Sequence, residues 1–176
     1  MDLTPTTSIT LAQVMGDCLA VALLERRGFR PEDFRFLHPG GVIGAVASRR
    51  VAELMHAGDA IPQVRERTRL RAVMLEIMDK RLGITTVVDG QGRLAGVISD
   101  GDFKRILVKH ADPWHLTAAD VMTGSPSTIG GDTLVAAAVR VMEEHAPGPI
   151  TALVVVDGER RPIGVLHLHD CLRAGA

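Results

Sequence analysis

The sequence predicts an α/β protein made of two copies of one β-α-β-β-α unit, related by a pseudo-two-fold and preceded by a helical segment. Two observations carry that expectation. The run Gly96-Val97-Ile98-Ser99-Asp100-Gly101-Asp102-Phe103 returns as Gly164-Val165-Leu166-His167-Leu168-His169-Asp170-Cys171, an apolar strand ending in a polar corner that opens a helix. Asp102 and Asp170 stand 68 residues apart, and the turn dipeptides Asp89-Gly90 and Asp157-Gly158 keep that offset. Self-similarity at a fixed offset is the signature of a structural repeat.

Residues 1–47 come first. Leu11, Val14, Met15, Cys18, Leu19, Ala22 and Leu23 have helical spacing and Gly28 stands where a C-terminal cap is wanted, which predicts a helix over 11–27 with one buried stripe. Pro31 marks a second short helical start. The turn-rich run His38-Pro39-Gly40-Gly41 follows and matches neither repeat.

The first copy, within residues 48–110, reads as a short helix over 51–55, a strand over 62–65, a helix over 69–81, strands over 84–88 and 93–98, and a helix over 100–109. Asp89-Gly90 between two β-rich runs is a hairpin signal. The second copy, within residues 111–176, repeats the order, with Asp132 expected to cap its first long helix. The continuous apolar strand over 151–156 should be covered on both faces. Leu54-Met55 maps onto Val121-Met122, and the helix face Leu70, Val73, Met74, Ile77, Met78 maps onto Leu134, Ala137, Ala138, Val141, Met142 at an offset of 64. The second copy then lacks three residues before that helix and gains four after it, in the loop Ala146-Pro147-Gly148-Pro149. Met55, Met74, Met78, Met122 and Met142 fall on predicted core faces and read as packing.

Composition bounds the function. With 46% hydrophobic and 23% charged residues, the 176-residue chain reads as globular, and a net charge of −1 gives no general pull toward nucleic acid or anionic membrane. Aromatic residues make up 3% and Tyr is absent, which leaves almost no base-stacking platforms. Cys18 and Cys171, far apart in apolar sequence, suit buried thiols in a reducing compartment. No run approaches the roughly 20 apolar residues needed to span a bilayer, and the expected location is the cytoplasm.

Two copies that each end in Gly-Val-apolar-Ser/His-x-x-Asp resemble a tandem cystathionine-β-synthase (CBS) domain pair over residues 48–176. Four flanking runs sharpen the likeness: His38-Pro39-Gly40-Gly41, Met55-His56-x-Gly58-Asp59-x-Ile61-Pro62, Ser99-Asp100-Gly101-Asp102, and Leu166-His167-Leu168-His169-Asp170. Together they resemble bacterial D-arabinose-5-phosphate isomerases, which carry a sugar isomerase (SIS) domain before the CBS pair and act in Kdo and lipopolysaccharide or capsule synthesis. Residues 1–47 are similar to the tail of that SIS domain. The chain departs from the family at Ala45 and Val46, where basic residues are usual.

The resemblance implies a ligand-binding module whose site residues are Ser99, Asp100 and Asp102 in one corner and His167, His169 and Asp170 in the other. It implies a nucleotide or nucleotide sugar as partner, with CMP-Kdo, AMP or ATP as candidates, a homodimer or higher homo-oligomer, and no cofactor. It places the isomerase's active-site histidine at His38, where an imidazole suits proton transfer on a sugar. The phosphate loop and acidic residues of the SIS domain are absent from these residues, so the chain is expected to be an isomerase only when a SIS domain completes it. A ligand-free oligomerisation scaffold is the third reading.

Each site residue also has a plain structural role available. Ser99-x-x-Asp102 is close to a capping box, and Lys104 and Arg105 read as a solvated helix face. His167 and His169 sit two residues apart without a further fixed ligand, so a metal site is not expected there.

Overall fold

The computed structural model describes residues 6–29 and 49–174, and the chain forms two compact units, residues 1–44 and 45–176. The first unit contributes α1 (Thr6–Arg26), 21 residues long, within which no residue is buried. Its apolar positions are wider than the predicted stripe. Ile9, Val21 and Leu24 are exposed large hydrophobic residues alongside Leu11, Val14, Met15, Leu19 and Leu23, so the helix is apolar over most of its circumference, with Thr6, Thr10, Gln13 and Asp17 along the remaining strip. Such a helix belongs in a core or a bilayer. It is long and apolar enough to cross a membrane, with a mean hydropathy of 1.6, which corrects the expectation that no run approaches that length. Cys18 is exposed and Cys171 buried, so only one of the two thiols is covered as expected.

The second unit holds both copies. The first contains β1 (Gln63–Arg65), α2 (Leu70–Lys80), β2 (Ile84–Val88), β3 (Leu94–Ser99) and α3 (Asp100–Lys109). The second contains α4 (Ala118–Val121), β4 (Thr123–Gly124), β5 (Thr128–Gly130), α5 (Val135–Glu143), β6 (Ala152–Val156), β7 (Pro162–His167) and α6 (Leu168–Arg173). A 3₁₀ turn over Val51–Glu53 opens the first copy where a short helix was expected.

One sheet runs β1-β2-β3-β4 and the other β5-β6-β7. In each copy a parallel pair is followed by an antiparallel hairpin: Val64 opposes Val87 and Ile129 opposes Val155, while Thr86 opposes Val97 and Val154 opposes Val165. Both hairpins carry a bulge at the same place, between Val87 and Val88 and between Val155 and Val156. The turns are built alike as well. Asp89 Oδ1 accepts from the N–H groups of Gln91 and Arg93, and Asp157 Oδ1 from those of Glu159 and Arg161. These backbone donors, that of Arg93 foremost, hold the Asp89 carboxyl below its usual range.

The two copies exchange their leading segments. Val51 is fully buried in the core of the second copy, with Val135, Ala138, Met142 and Leu153. Ala118 is fully buried in the core of the first, with Leu70, Val73, Ile77 and Phe103. The backbone bonds are reciprocal: Val51 N–H donates to Thr133 O at 2.9 Å and Ala118 N–H to Thr68 O at 2.8 Å, while Val135 N–H donates to Arg49 O at 2.9 Å and Leu70 N–H to Leu116 O at 3.0 Å. The inner sheet faces then meet through Leu82, Ile84, Leu94 and Val97 on one side and Val154 and Val165 on the other. Helices cover the outer face, which explains why every residue of β2 is buried and why the centre of β6 is too.

These bonds correct the helix register. Leu70, Val73 and Ile77 correspond to Val135, Ala138 and Met142, an offset of 65. Leu134 lies outside the helix and is 47% exposed. The second copy therefore lacks two residues before the helix and gains three after it. Sequence pattern allowed the one-residue slip because Leu134, Ala137 and Val141 are apolar too. Asp132 does not cap this helix; Leu134 is its N-cap residue, without a side-chain cap, and the Asp132 carbonyl accepts from the Arg50 guanidinium at 2.7 Å. Met78, expected in the core, is 64% exposed.

Two glycines admit the exchanged segments. A Cβ on Gly96 would lie 2.7 Å from Met122 Sδ and 2.8 Å from Thr123 O, and one on Gly164 would lie 2.8 Å from Met55 Cγ and 3.1 Å from His56 O. Gly96→Ala should cost about 1–3 kcal/mol of unfolding free energy by overpacking against backbone, with Gly164→Ala acting in the same direction. Urea denaturation reads both, and unchanged midpoints would refute the close approach. In the core of the first copy, Thr85 is fully buried and its Oγ1 has no hydrogen-bond partner. Removing an unsatisfied hydroxyl without changing shape relieves its desolvation cost, so Thr85→Val should stabilise the fold by about 1 kcal/mol in the same assay.

Candidate ligand-binding corners

Each hairpin's second strand runs directly into a helix, and the sequence-predicted site residues sit at those two junctions. Asp100 N–H donates to Gly83 O at 3.0 Å, which fastens the first corner to the start of β2.

In the first corner the capping box forms. Asp102 Oδ2 accepts from Ser99 N–H at 2.9 Å and Ser99 Oγ at 2.6 Å, and Asp102 N–H donates back to Ser99 Oγ at 3.2 Å. The Arg105 guanidinium takes the other oxygen, Oδ1. Asp102 is thus committed on both oxygens to residues within its own turn. Arg105 is exposed, as a residue of a solvated helix face should be, and from there it pairs with Asp102 at i, i+3.

The second corner is built differently. His167 is the N-cap residue of α6, and its Nδ1 accepts from His169 N–H at 3.2 Å. The His167 and His169 rings stack with centroids 5.2 Å apart. Asp170 is left out of the cap, and its Oδ2 meets His56 Nε2 at 2.8 Å. His56 arrives from the first copy: it exchanges backbone bonds with Val165 at 2.8 and 2.9 Å along the edge of β7. The equivalent strand addition in the first copy is Thr123 opposite Val97. His56 stood in a quoted motif without a role, because 114 residues separate it from Asp170.

Comparing equivalent positions, Thr123, Ser99 and Gly101 of the first corner become His56, His167 and His169 in the second. Asp102 and Arg105 become Asp170 and Arg173. Burial pushes the His167 imidazole below its ordinary value, with the Asp170 charge opposing and the His169, His56 and Arg173 charges assisting. Among the described residues no group of three or more His, Cys, Asp or Glu side chains is arranged to hold a metal ion. His38 lies outside the described residues.

The sequence matches the CBS domain family over residues 51–109 and 118–176. The chain belongs to that family and is a CBS pair. It is similar along nearly its whole length to arabinose 5-phosphate isomerases named KdsD: that of Pseudomonas aeruginosa is 45% identical over 175 residues, 99% of this chain and 53% of the relative. That of Escherichia coli is 42% identical over 99% of this chain and 52% of the relative. The chain spans about half the length of these relatives. Among solved structures, CBSX2 in complex with AMP superposes with a TM-score of 0.61 at 24% identity, covering 71% of this chain and 94% of that one. The CBS pair of MJ0100, in complex with 5-methylthioadenosine and S-adenosyl-L-methionine, gives 0.62 at 20% identity over 71% and 94%. Both share the fold.

The capping role of His167 has a consequence in acid. A histidine whose folded pKa is lowered binds fewer protons folded than unfolded, so its stabilising effect is full above the ordinary value of 6.5 and is lost as pH falls below it. Protonation at Nδ1 also removes the acceptor for His169 N–H. His167→Ser supplies the cap found in the first corner and does not titrate, so its melting temperature should fall less than that of the native chain between about pH 7 and about pH 5. Parallel slopes for the two proteins would exclude this role.

Proposed function

We propose that this chain is the regulatory module of an arabinose-5-phosphate isomerase and senses a nucleotide or nucleotide sugar. The observation that carries the reading is a carboxylate at the same helix-entry position in both copies of a CBS pair, Asp102 and Asp170. Structural neighbours with this fold are seen with AMP and with adenosine derivatives, and similarity to the KdsD enzymes extends over 99% of the chain. A carboxylate can accept from two vicinal ribose hydroxyls, and His167, His169 and Arg173 offer donors for a phosphate or sugar acid. CMP-Kdo, as a downstream nucleotide sugar of the pathway the resemblance implies, is the leading ligand, with AMP and ATP as alternatives.

Regulation follows from linkage. A ligand that binds one arrangement of the two copies better than another shifts their equilibrium by that difference in affinity and no more. On this reading α1 is a helix of the SIS domain, whose remaining elements cover its apolar circumference, and the module works in the cytoplasm. Exposed Leu75, Met78, Leu107 and Val108 on α2 and α3 support the homo-oligomer. His38 would serve catalysis only in a chain completed by the SIS domain.

Calorimetric titration with CMP-Kdo, CMP, AMP and ATP tests the reading. One of them should bind with micromolar affinity, on the order of −8 kcal/mol, and Asp102→Ala or Asp170→Ala should abolish it. A folded protein that gives no heat with any of the four would leave oligomerisation as the module's role. The 176 residues alone should not turn over ribulose 5-phosphate.

A further inference from the structure

The two corners are not equivalent, and the difference lies in what already holds each carboxylate. Asp102 is engaged on both oxygens by Ser99 and Arg105, its neighbours in the same turn. A ligand seeking that carboxylate must compete with Arg105 at Oδ1 or with Ser99 at Oδ2. Asp170 is spared from capping because His167 Nδ1 takes that role. Among the described residues its side-chain hydrogen-bonding partner is His56, at 2.8 Å through Oδ2. The pair is partly open, with side chains 36% and 29% exposed.

The charges of His56, Asp170, His169 and Arg173 all act on the His167 imidazole, and that of Asp170 also reaches the Cys171 thiol. Arg173 occupies the place of Arg105 but makes no ion pair with Asp170, whereas Arg105 pairs with Asp102. The second corner therefore holds an available cation and an exchangeable carboxylate side by side. That combination suits a ligand with a vicinal diol next to an anionic group.

We infer that the second corner is the one that takes the ligand, and that His56 is its latch: the diol displaces the His56 imidazole from Asp170. The inference rests on the nucleotide-sensing reading above. His56 belongs to the first copy, and its backbone stays bonded to Val165 on both sides of the exchange. Displacement frees its side chain alone. His56 is thus a positioning residue, acting on the ligand through Asp170.

The test is calorimetric titration of the full chain with the same four ligands. Removing the competitor should tighten binding about 3–10-fold, the range of one hydrogen bond's net contribution, in His56→Ala and equally in His56→Leu, which fills the space without a donor. Asp170→Asn should abolish binding. Affinity that is unchanged or weaker in both His56 variants overturns the latch, and so does loss of binding confined to Asp102→Asn. If none of the four binds the native chain, the inference falls together with the reading it rests on; binding that survives Asp170→Asn overturns the inference alone.

Discussion

Everything in the second unit depends on the exchange of leading segments between the copies. A β-α-β-β-α unit of this size has an incomplete core and an open sheet edge. Val51 closes the core of the second copy and Ala118 that of the first, while His56 and Thr123 extend the opposite hairpins. The glycines at positions 96 and 164 are the spatial condition for this. A side chain at either place would meet both a methionine and a backbone carbonyl. Because each copy supplies what the other lacks, the two cores are expected to form in one cooperative step.

That exchange also explains how the two corners came to differ while the scaffold stayed the same. The hairpins share their strand register, the place of their bulge and the hydrogen bonds of their aspartate-centred turns, since each is fixed by local backbone requirements. The corner side chains are under no such requirement. One corner uses serine for its cap and keeps its aspartate local. The other uses histidine, and its aspartate reaches across the pseudo-two-fold to the exchanged segment. The scaffold brings a residue 114 positions away within hydrogen-bonding distance of the corner without altering either strand.

The hairpin strands and α3 were legible in the sequence nearly to the residue, because Asp-Gly turns, β-branched runs and the Ser99 cap are local signals. The register of α5 was not. Leu134, Ala137 and Val141 offer an apolar face as plausible as the true one, and the backbone bonds donated by Val135 N–H to Arg49 O and by Val51 N–H to Thr133 O decide between them. Asp132 carried the chemistry of a cap, but sits two residues too early to act as one. At the site, Asp102 and Asp170 stood out through repetition, whereas the role of His56 was hidden, since no local pattern states which distant strand it will lie against. For α1 the helix was legible but its apolar breadth was not, because a stripe chosen at helical spacing ignores what lies on the other faces.

The exchanged segments carry one more consequence. Each copy holds both a leading segment and a glycine-notched strand edge, and the two are complementary to each other. Two unlinked copies would satisfy one another by the same reciprocal contacts, so the pair amounts to a homodimer made continuous by the residues between α3 and α4. Duplication and fusion of a single ancestral unit then requires no new interface: joining the chains preserves an assembly that already closed on itself. What a single chain adds is independence of the two halves: one corner carries a serine and the other histidines.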